Sequence, residues 1–144
     1  MTVRQAHAGD TAVLRELSTA LIDEISTGRG GFNLRQDICR HLNCDDTSLP
    51  SRMAEIASSG WVFDDGFVQG FSAWSDGVGV VYVAPASRQS GVGRHLYAAM
   101  ATAHQTIDLW VRPGDRGAKS FGEALGLKAR KLVMNEPLGG DVEE

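Results

Sequence analysis

The sequence predicts an α+β fold: one domain with a central, mixed but mostly antiparallel sheet of about six strands, flanked by about four helices. Three observations predict it. Apolar residues recur at helical spacing early in the chain, then alternate with polar residues in a stretch with two Asp-Gly pairs, and return to helical spacing after a turn with two glycines. The length of 144 residues suits a single domain with a substantial core.

The first 60 residues predict a short strand followed by helices. The stretch TVRQA is typical of an opening strand, and Asp10 is the expected N-cap of a helix that ends near Thr27. The stretch GRGGFN has three glycines in four residues and predicts a mobile connector. A second helical segment follows, and we expect Pro50 to interrupt it.

The middle of the chain has the period of strands. Alternating apolar and polar positions predict antiparallel strands near 61–64, 67–74 and 78–84. Asp65-Gly66 and Asp76-Gly77 lie between these strands, and Asp-Gly is a strong signal for a tight hairpin turn.

The last part of the chain returns to alternating helices and strands. A helix is expected from about Val92, where apolar residues resume helical spacing. The stretch TIDLWV predicts a strand, GAKSFGEAL predicts a helix closed by Gly126, and ARKLVM predicts a last strand.

Composition and charge narrow the function classes. The 42% hydrophobic and 22% charged residues are typical of a soluble globular protein, and without an apolar span or signal segment the expected location is the cytoplasm. The net charge of −4 argues against nucleic acid as a partner.

The charge is unevenly distributed along the chain. Residues 22–65 hold eight acids and four arginines, whereas residues 88–131 hold eight bases and three acids. Either the two halves favour ligands of opposite charge, or both are solvated faces.

The two cysteines do not indicate a disulfide framework. Cys39, His41 and Cys44 form a C-x-H-x-x-C pattern, but on a helix these side chains point in different directions and supply only three ligands. We therefore expect no metal, and two reduced, partly buried thiols.

The stretch PASRQSGVGRHLYAAM, residues 85–100, poses the functional question. A strand, a turn with two glycines and a helix start are the parts of an anion site, because free amides at a helix N-terminus carry partial positive charge and glycine lets a ligand approach them. The stretch lacks the third glycine of a dinucleotide fingerprint and the Gly-Lys-Ser/Thr of a phosphate-binding loop. Alone, the G-x-G pattern is weak evidence for an anion site, and an ordinary loop-to-helix junction is the favoured interpretation.

Two motifs together resemble the GNAT N-acetyltransferase superfamily. VYVAPASRQSGVGRHL is similar to its acetyl-CoA signature, with Arg88, Gly91 and Gly93 matching R-x-x-G-x-G. WVRPGDRGAKSFGEALGL resembles its second motif, N-x-x-A-x-x-F-Y-x-x-x-G-F, although aspartate replaces the asparagine, glycine replaces the tyrosine, and leucine replaces the last aromatic residue. The predicted element order also fits, so the resemblance covers nearly the whole chain.

The resemblance implies an acetyl-CoA site. Amides from Gln89 to Arg94 would hold the pyrophosphate, and main-chain groups of Tyr82 and Val83 would pair with the pantetheine arm, between the fourth and fifth strands. Lys119 is a further candidate for phosphate contact. The residues implied to bind the co-substrate are Tyr82, Val83, Arg88, Gln89, Ser90, Gly91, Val92, Gly93, Arg94, Asp115 and Phe121.

The catalytic groups are not identified by the sequence. Gly122 stands where many family members carry a tyrosine that acts as the acid, so Tyr97 and Ser120 are the substitutes to consider; Tyr97 also fits a core position. Asp76 is a candidate base, or only the first residue of an Asp-Gly turn. His41, four residues after Asp37, either forms a helix-surface pair or faces the acceptor.

The function implied is direct transfer of an acetyl group from acetyl-CoA to a primary amine of a small molecule or peptide, with a cationic acceptor favoured by the acidic half. The alternatives are a non-catalytic acyl-CoA-binding or regulatory module, and an acetyltransferase for charged tRNA, which the acidic balance disfavours. We assign residues 1–60 to the acceptor side, 61–135 to acetyl-CoA binding and 136–144 to a tail. No membrane partner is expected, and a homodimer is compatible with the sequence.

Overall fold

Helices and strands follow one another in nearly the predicted order. The computed structural model describes residues 2–134, so the predicted tail lies outside the described residues. The elements are β1 Thr2–Gln5, α1 Thr11–Ser26, α2 Gly31–Leu42, α3 Leu49–Ala57, β2 Trp61–Asp64, β3 Val68–Ser75, β4 Val78–Val83, α4 Val92–Ala103, β5 Asp108–Leu109 and α5 Arg116–Ala124.

The strands form one sheet in the order β1-β2-β3-β4-β5. All neighbours are antiparallel except β4 and β5, which are parallel. This mixed, mostly antiparallel sheet confirms the predicted fold class. Both expected hairpins form, and the β3–β4 turn has Asp76 at φ 46° and Gly77 at φ 88°, as a two-residue turn with left-handed positions requires.

Helices cover both faces of the sheet. On one face, Leu14 of α1 and Met53 of α3 belong to a buried cluster with Phe71 of β3. On the other face, Leu96 of α4 packs with Phe63 of β2 in a second, smaller cluster. The apolar residues that alternate along each strand therefore enter two cores rather than one. Within residues 2–134, no helix is both long and apolar enough to span a bilayer.

The start of α1 differs from the prediction. Asp10 occupies the N-cap position, but its side chain makes no capping hydrogen bond to α1. Its carboxylate instead accepts from the His7 amide and from both terminal nitrogens of Arg4, each at 2.9 Å. The predicted cap fails because a short 3-10 turn, Ala8–Asp10, precedes the helix and turns the carboxylate back toward β1.

The second helical segment is divided, but not at the predicted residue. Helix α2 ends at Leu42, where Asn43 adopts a left-handed conformation with φ 55°. Pro50 lies in the first turn of α3, where its missing N–H has no helical partner to lose, so the proline starts a helix rather than interrupting one. Residues 2–134 consequently contain five α-helices instead of about four.

The connector GRGGFN is also shorter than predicted, because α2 already begins at Gly31. Close packing against backbone requires glycine at position 31, whereas Gly28 faces the end of a flexible side chain. A Cβ at Gly31 would lie 2.0 Å from the carbonyl oxygen of Ile25, and one at Gly28 would lie 2.0 Å from the Arg112 guanidinium. The α1–α2 loop therefore rests against the segment that follows β5.

The predicted last strand is wrong. Residues 129–134 have no regular secondary structure, and Leu132, Val133 and Met134 are 79%, 66% and 84% exposed. A strand needs a partner ladder, and β5 pairs over only two residues instead of the six of TIDLWV. The sheet in the described part of the chain therefore has five strands rather than about six. The end of α5 agrees with the prediction, since Gly126 adopts φ 86° and its amide donates to the Glu123 carbonyl.

Candidate functional site

A fork between β4 and β5 is the main opening in the sheet. The two strands pair only at Val78 with Asp108 and at Gly79 with Leu109. Beyond these two residues the chain after β5 leaves the sheet, so within residues 2–134 no strand pairs with residues 80–83 on that side. The fork is closed at Gly79 and opens toward the end of β4.

The main chain of β4 presents its odd-numbered residues to the fork. The Ala84 amide donates a hydrogen bond to the Gln69 carbonyl on the β3 side. The Gly77 carbonyl accepts one from the Asp108 amide on the β5 side. Hydrogen-bonding direction alternates along a strand, so the main-chain groups of Val81 and Val83 face the fork and those of Tyr82 face β3. The side of β4 that faces the fork is thus an unpaired strand edge, and an extended ligand can form hydrogen bonds along it.

The glycine turn lies at the open end of this fork. Gln89 and Gly91 have left-handed conformations with φ 65° and 88°, and α4 begins directly afterward at Val92. None of the backbone amides from Gln89 to Arg94 donates a hydrogen bond to an acceptor within residues 2–134. The turn is exposed, and the dipole of the 12-residue helix adds partial positive charge to these amides. These are the geometric features on which the prediction of an anion site depends, and binding itself stays a prediction.

The two glycines of the turn have different roles. Gly91 needs its positive φ, and an added Cβ would meet only the His95 ring at 3.8 Å. An added Cβ at Gly93 would lie 3.0 Å from Cε1 of Phe121 and 3.6 Å from Val83. Gly93 therefore lets the α5 side chain pack against the start of α4 and the end of β4. Phe121 is brought to the turn by packing rather than by sequence proximity.

Arg88 connects the turn to helix α1. Its guanidinium binds both carboxylate oxygens of Glu24 at 2.8 Å, and its Nε donates to the Val83 carbonyl at 2.9 Å. This ion pair lowers the pKa of Glu24, and the nearby Tyr82 hydroxyl acts in the same direction. Burial, reinforced by Glu24, raises the pKa of Tyr82 to about 12. Sequence reasoning did not identify Glu24, because its partner lies 64 residues away.

The remaining predicted binding residues lie around the turn or on α5. Asp115 caps α5, since its carboxylate accepts from the Ala118 amide at 3.0 Å. Arg94, Ser90 and Lys119 are exposed. Ser90 also donates to the Ser87 carbonyl, which stabilises the loop before the helix.

The predicted catalytic candidates do not converge. Asp76 is exposed in the hairpin turn before β4, beyond the closed end of the fork. Tyr97 is half-buried on α4 and belongs to neither apolar cluster, and Ser120 is exposed on α5. A Cβ added at Gly122 would meet no atom within 4 Å, so the position of the family's tyrosine is open space.

His41 makes none of the pairs that its sequence neighbours suggest. Asp37 contacts Arg40 instead, while His41 Nε2 lies 2.7 Å from the Ser75 carbonyl and the ring packs edge-on against Trp110. Cys39 and Cys44 are both free thiols, and burial raises the pKa of Cys39 to about 11. Across the described residues, no three His, Cys, Asp or Glu side chains converge to hold a metal ion.

Comparison with solved structures decides the fold. The chain is similar to a tetramutant of the BH1408 protein from Bacillus halodurans, with 21% identity, a TM-score of 0.64, and 96% of this chain and 100% of that chain covered. It is also similar to a GCN5-related N-acetyltransferase from Ralstonia eutropha JMP134, with 19% identity, a TM-score of 0.57, and 95% and 97% covered. The chain has the fold of the GNAT N-acetyltransferases.

A further structure with the GNAT fold is AAC(6')-Iy, solved in complex with the bisubstrate analogue CoA-S-monomethyl-acetylneamine. It is 17% identical, with a TM-score of 0.57 over 95% of this chain and 97% of that chain. No protein-family model and no curated protein sequence matches the chain. The fold that the resemblance implied is confirmed by solved structures that cover 95% to 96% of the chain.

Proposed function

We propose that this protein is an acetyl-CoA-dependent N-acetyltransferase that transfers the acetyl group directly to a primary amine. One observation carries the proposal: the fork between β4 and β5 has an exposed strand edge, and this edge leads to a turn whose amides have no acceptor in the described part of the chain. An extended arm with an anionic end fits such an arrangement. The CoA-containing structure of AAC(6')-Iy, which has the same fold, supports this assignment.

The residues at the fork fit coenzyme A. The amides from Gln89 to Arg94 would bind the pyrophosphate, and the main-chain groups of Val81 and the amide of Val83 would pair with the pantetheine arm. Tyr82 would contribute through its side chain to the Arg88 and Glu24 cluster rather than through its main chain. When bound, acetyl-CoA supplies an acyl carbon with a thiolate leaving group.

The acceptor is proposed to be a primary amine, as the acetylneamine part of the analogue bound to AAC(6')-Iy suggests. The charge argument for a cationic acceptor is weaker than the sequence implied. Five of the eight acids in residues 22–65 contact arginines, and they are Glu24, Asp37, Asp46, Glu55 and Asp64. A comparison of spermidine with the amine of glutamate tests the hypothesis, and preference for glutamate would overturn it.

Protection of the fold by acetyl-CoA tests the proposed site. We expect acetyl-CoA to raise the melting temperature of the parent protein, and Gly91→Val to lose this protection because its side chain blocks the amides. Gly77→Val is the matched control, since Gly77 has the same φ of 88° but lies at the far end of β4. Both variants carry similar backbone strain, so circular dichroism and melting temperature without ligand should match. Equal protection of both variants would contradict the assignment.

A non-catalytic acyl-CoA-binding module is the second candidate. The glycine at position 122 favours it, because the helix offers no hydroxyl where the related motif carries tyrosine. Release of free CoA in the presence of amines distinguishes the two functions. Binding without any turnover would favour the module. The cytoplasmic location, the homodimer and the absence of nucleic acid and metal partners stay predictions.

A further inference from the structure

The His41 imidazole lies across β4 near the closed end of the fork. On one side its Nε2 is 2.7 Å from the carbonyl oxygen of Ser75, the last residue of β3. On the other side its ring packs against Trp110, with ring centroids 5.3 Å apart. Because β4 lies between β3 and β5 in the sheet, a side chain that contacts both sides must cross it. Trp110 directly follows the last paired residue of β5, so the imidazole lies where the fork begins.

The hydrogen bond to Ser75 determines the tautomer of His41. A carbonyl oxygen only accepts, so Nε2 carries the hydrogen and Nδ1 of the neutral ring is left with a free lone pair. No residue in the described part of the chain donates to Nδ1. The ring is half-buried and is oriented on two sides, by a hydrogen bond and by an aromatic contact. These are the features of a prepared proton acceptor.

The fork brings the reacting end of a bound arm toward this nitrogen. An extended arm that starts at the glycine turn and follows β4 inward reaches Gly79 after about 13 Å, at 3.3 Å per residue from Val83. At that point β5 closes the fork, so the arm ends there. Val80 packs on the side of the sheet that α1 covers, and His41 on α2 approaches from the helices of that side.

We propose that His41 is the catalytic residue that accepts the proton of the attacking amine. This inference rests on the proposed function. The amine nitrogen forms a bond to the acetyl carbon while its proton moves to Nδ1, the carbon–sulfur bond breaks, and the proton then passes to the sulfur of the departing thiolate. The products are an amide and a thiol, and the imidazole returns to its neutral form. No further reactant is needed.

His41→Gln is the decisive variant. The glutamine amide nitrogen can still donate to the Ser75 carbonyl, as Nε2 does, but it cannot accept a proton. We expect kcat to fall by about 10²-fold or more with acetyl-CoA and spermidine or neamine, with the melting temperature and acetyl-CoA protection retained. The matched control is His104→Gln. His104 is also a helix-end histidine against a tryptophan, stacked on Trp74 at 3.9 Å, but on the α4 side of the sheet. It should keep kcat within about threefold.

Histidine NMR supplies a readout that does not need turnover. In the parent protein with ¹⁵N-labelled histidine, acetyl-CoA should shift the ring signals of His41, while those of His7 and His104 stay unchanged. Protection by acetyl-CoA with unmoved His41 signals, or full kcat in folded His41→Gln, would overturn the inference alone. Absence of acetyl-CoA binding to the parent would overturn the proposed function, and the inference with it.

Discussion

Replacing Asp10 by asparagine is expected to remove about 2 kcal/mol of stability at neutral pH, and this loss should disappear in acid. Asp10 is 4% exposed, and its carboxylate accepts two hydrogen bonds from Arg4 and one from the His7 amide. Because Arg4 also binds Asp64, this cluster joins β1, the start of α1 and β2. The Arg4 guanidinium lowers the pKa of Asp10 from 3.8 to about 2.

The magnitude follows from the difference between the two pKa values. Because each pKa unit corresponds to about 1.4 kcal/mol, the change from 3.8 to about 2 corresponds to about 2 kcal/mol. Since the folded pKa lies below the unfolded one, this stability is present above pH 3.8 and is lost as the pH falls through about 2. The contribution should be about 1 kcal/mol at pH 3 and well under 1 kcal/mol at pH 2.

Urea unfolding followed by circular dichroism at pH 7, 4, 3 and 2 measures the effect. The free-energy difference between parent and Asp10→Asn should shrink as the pH falls. Asp76→Asn is the control, because Asp76 is exposed and Asn-Gly suits the same hairpin turn. A difference that stays constant from pH 7 to pH 2, or a loss below about 1 kcal/mol at pH 7, would refute the electrostatic account of this cluster.

Three further predictions concern the proposed site. Gly122→Tyr should raise kcat at least about tenfold in the amine assay, because the position is open and a general acid contributes 10²–10⁴-fold. An unchanged kcat in a folded variant would contradict this prediction. Ser120→Ala and Tyr97→Phe should each keep kcat within about tenfold of the parent, a change of at most ~1.4 kcal/mol in the activation barrier. A hundredfold loss in Tyr97→Phe with unchanged stability would instead identify this tyrosine as the acid. Glu24→Gln should tighten acetyl-CoA binding up to about fivefold by calorimetry, since it frees Arg88 from an exposed ion pair; weaker binding would show that Glu24 positions the guanidinium instead.

The features predicted correctly from the sequence depend on residues close together in the chain. The β3–β4 hairpin needs only Asp76 and Gly77, whose left-handed conformations determine the turn. The glycine turn likewise combines Gly91 with the helix that follows it. The predicted break at Pro50 was wrong even though it was local, because proline suits the first turn of a helix as well as it disrupts the interior.

The site could be predicted only in part. The amides of the glycine turn are backbone groups whose direction follows from the local conformation, so sequence reasoning located them. The sequence leaves two alternatives open for His41 and does not indicate Glu24 as a site residue, because their partners lie 34 and 64 residues away. No periodicity or motif encodes such pairs, and the sequence neighbours of His41 suggested a contact with Asp37 that does not form.

The sequence by itself determined the fold class, the hairpin turns and the place of the glycine turn, because side-chain periodicity and glycine conformation act over a few residues. Only the tertiary structure decided the length of β5, the absence of a strand at residues 129–134, and which side chains lie near the fork. A strand exists only where another strand supplies its hydrogen bonds, and after Leu109 the chain leaves β4. That departure leaves ARKLVM without a ladder, and it opens the edge on which the proposed function rests.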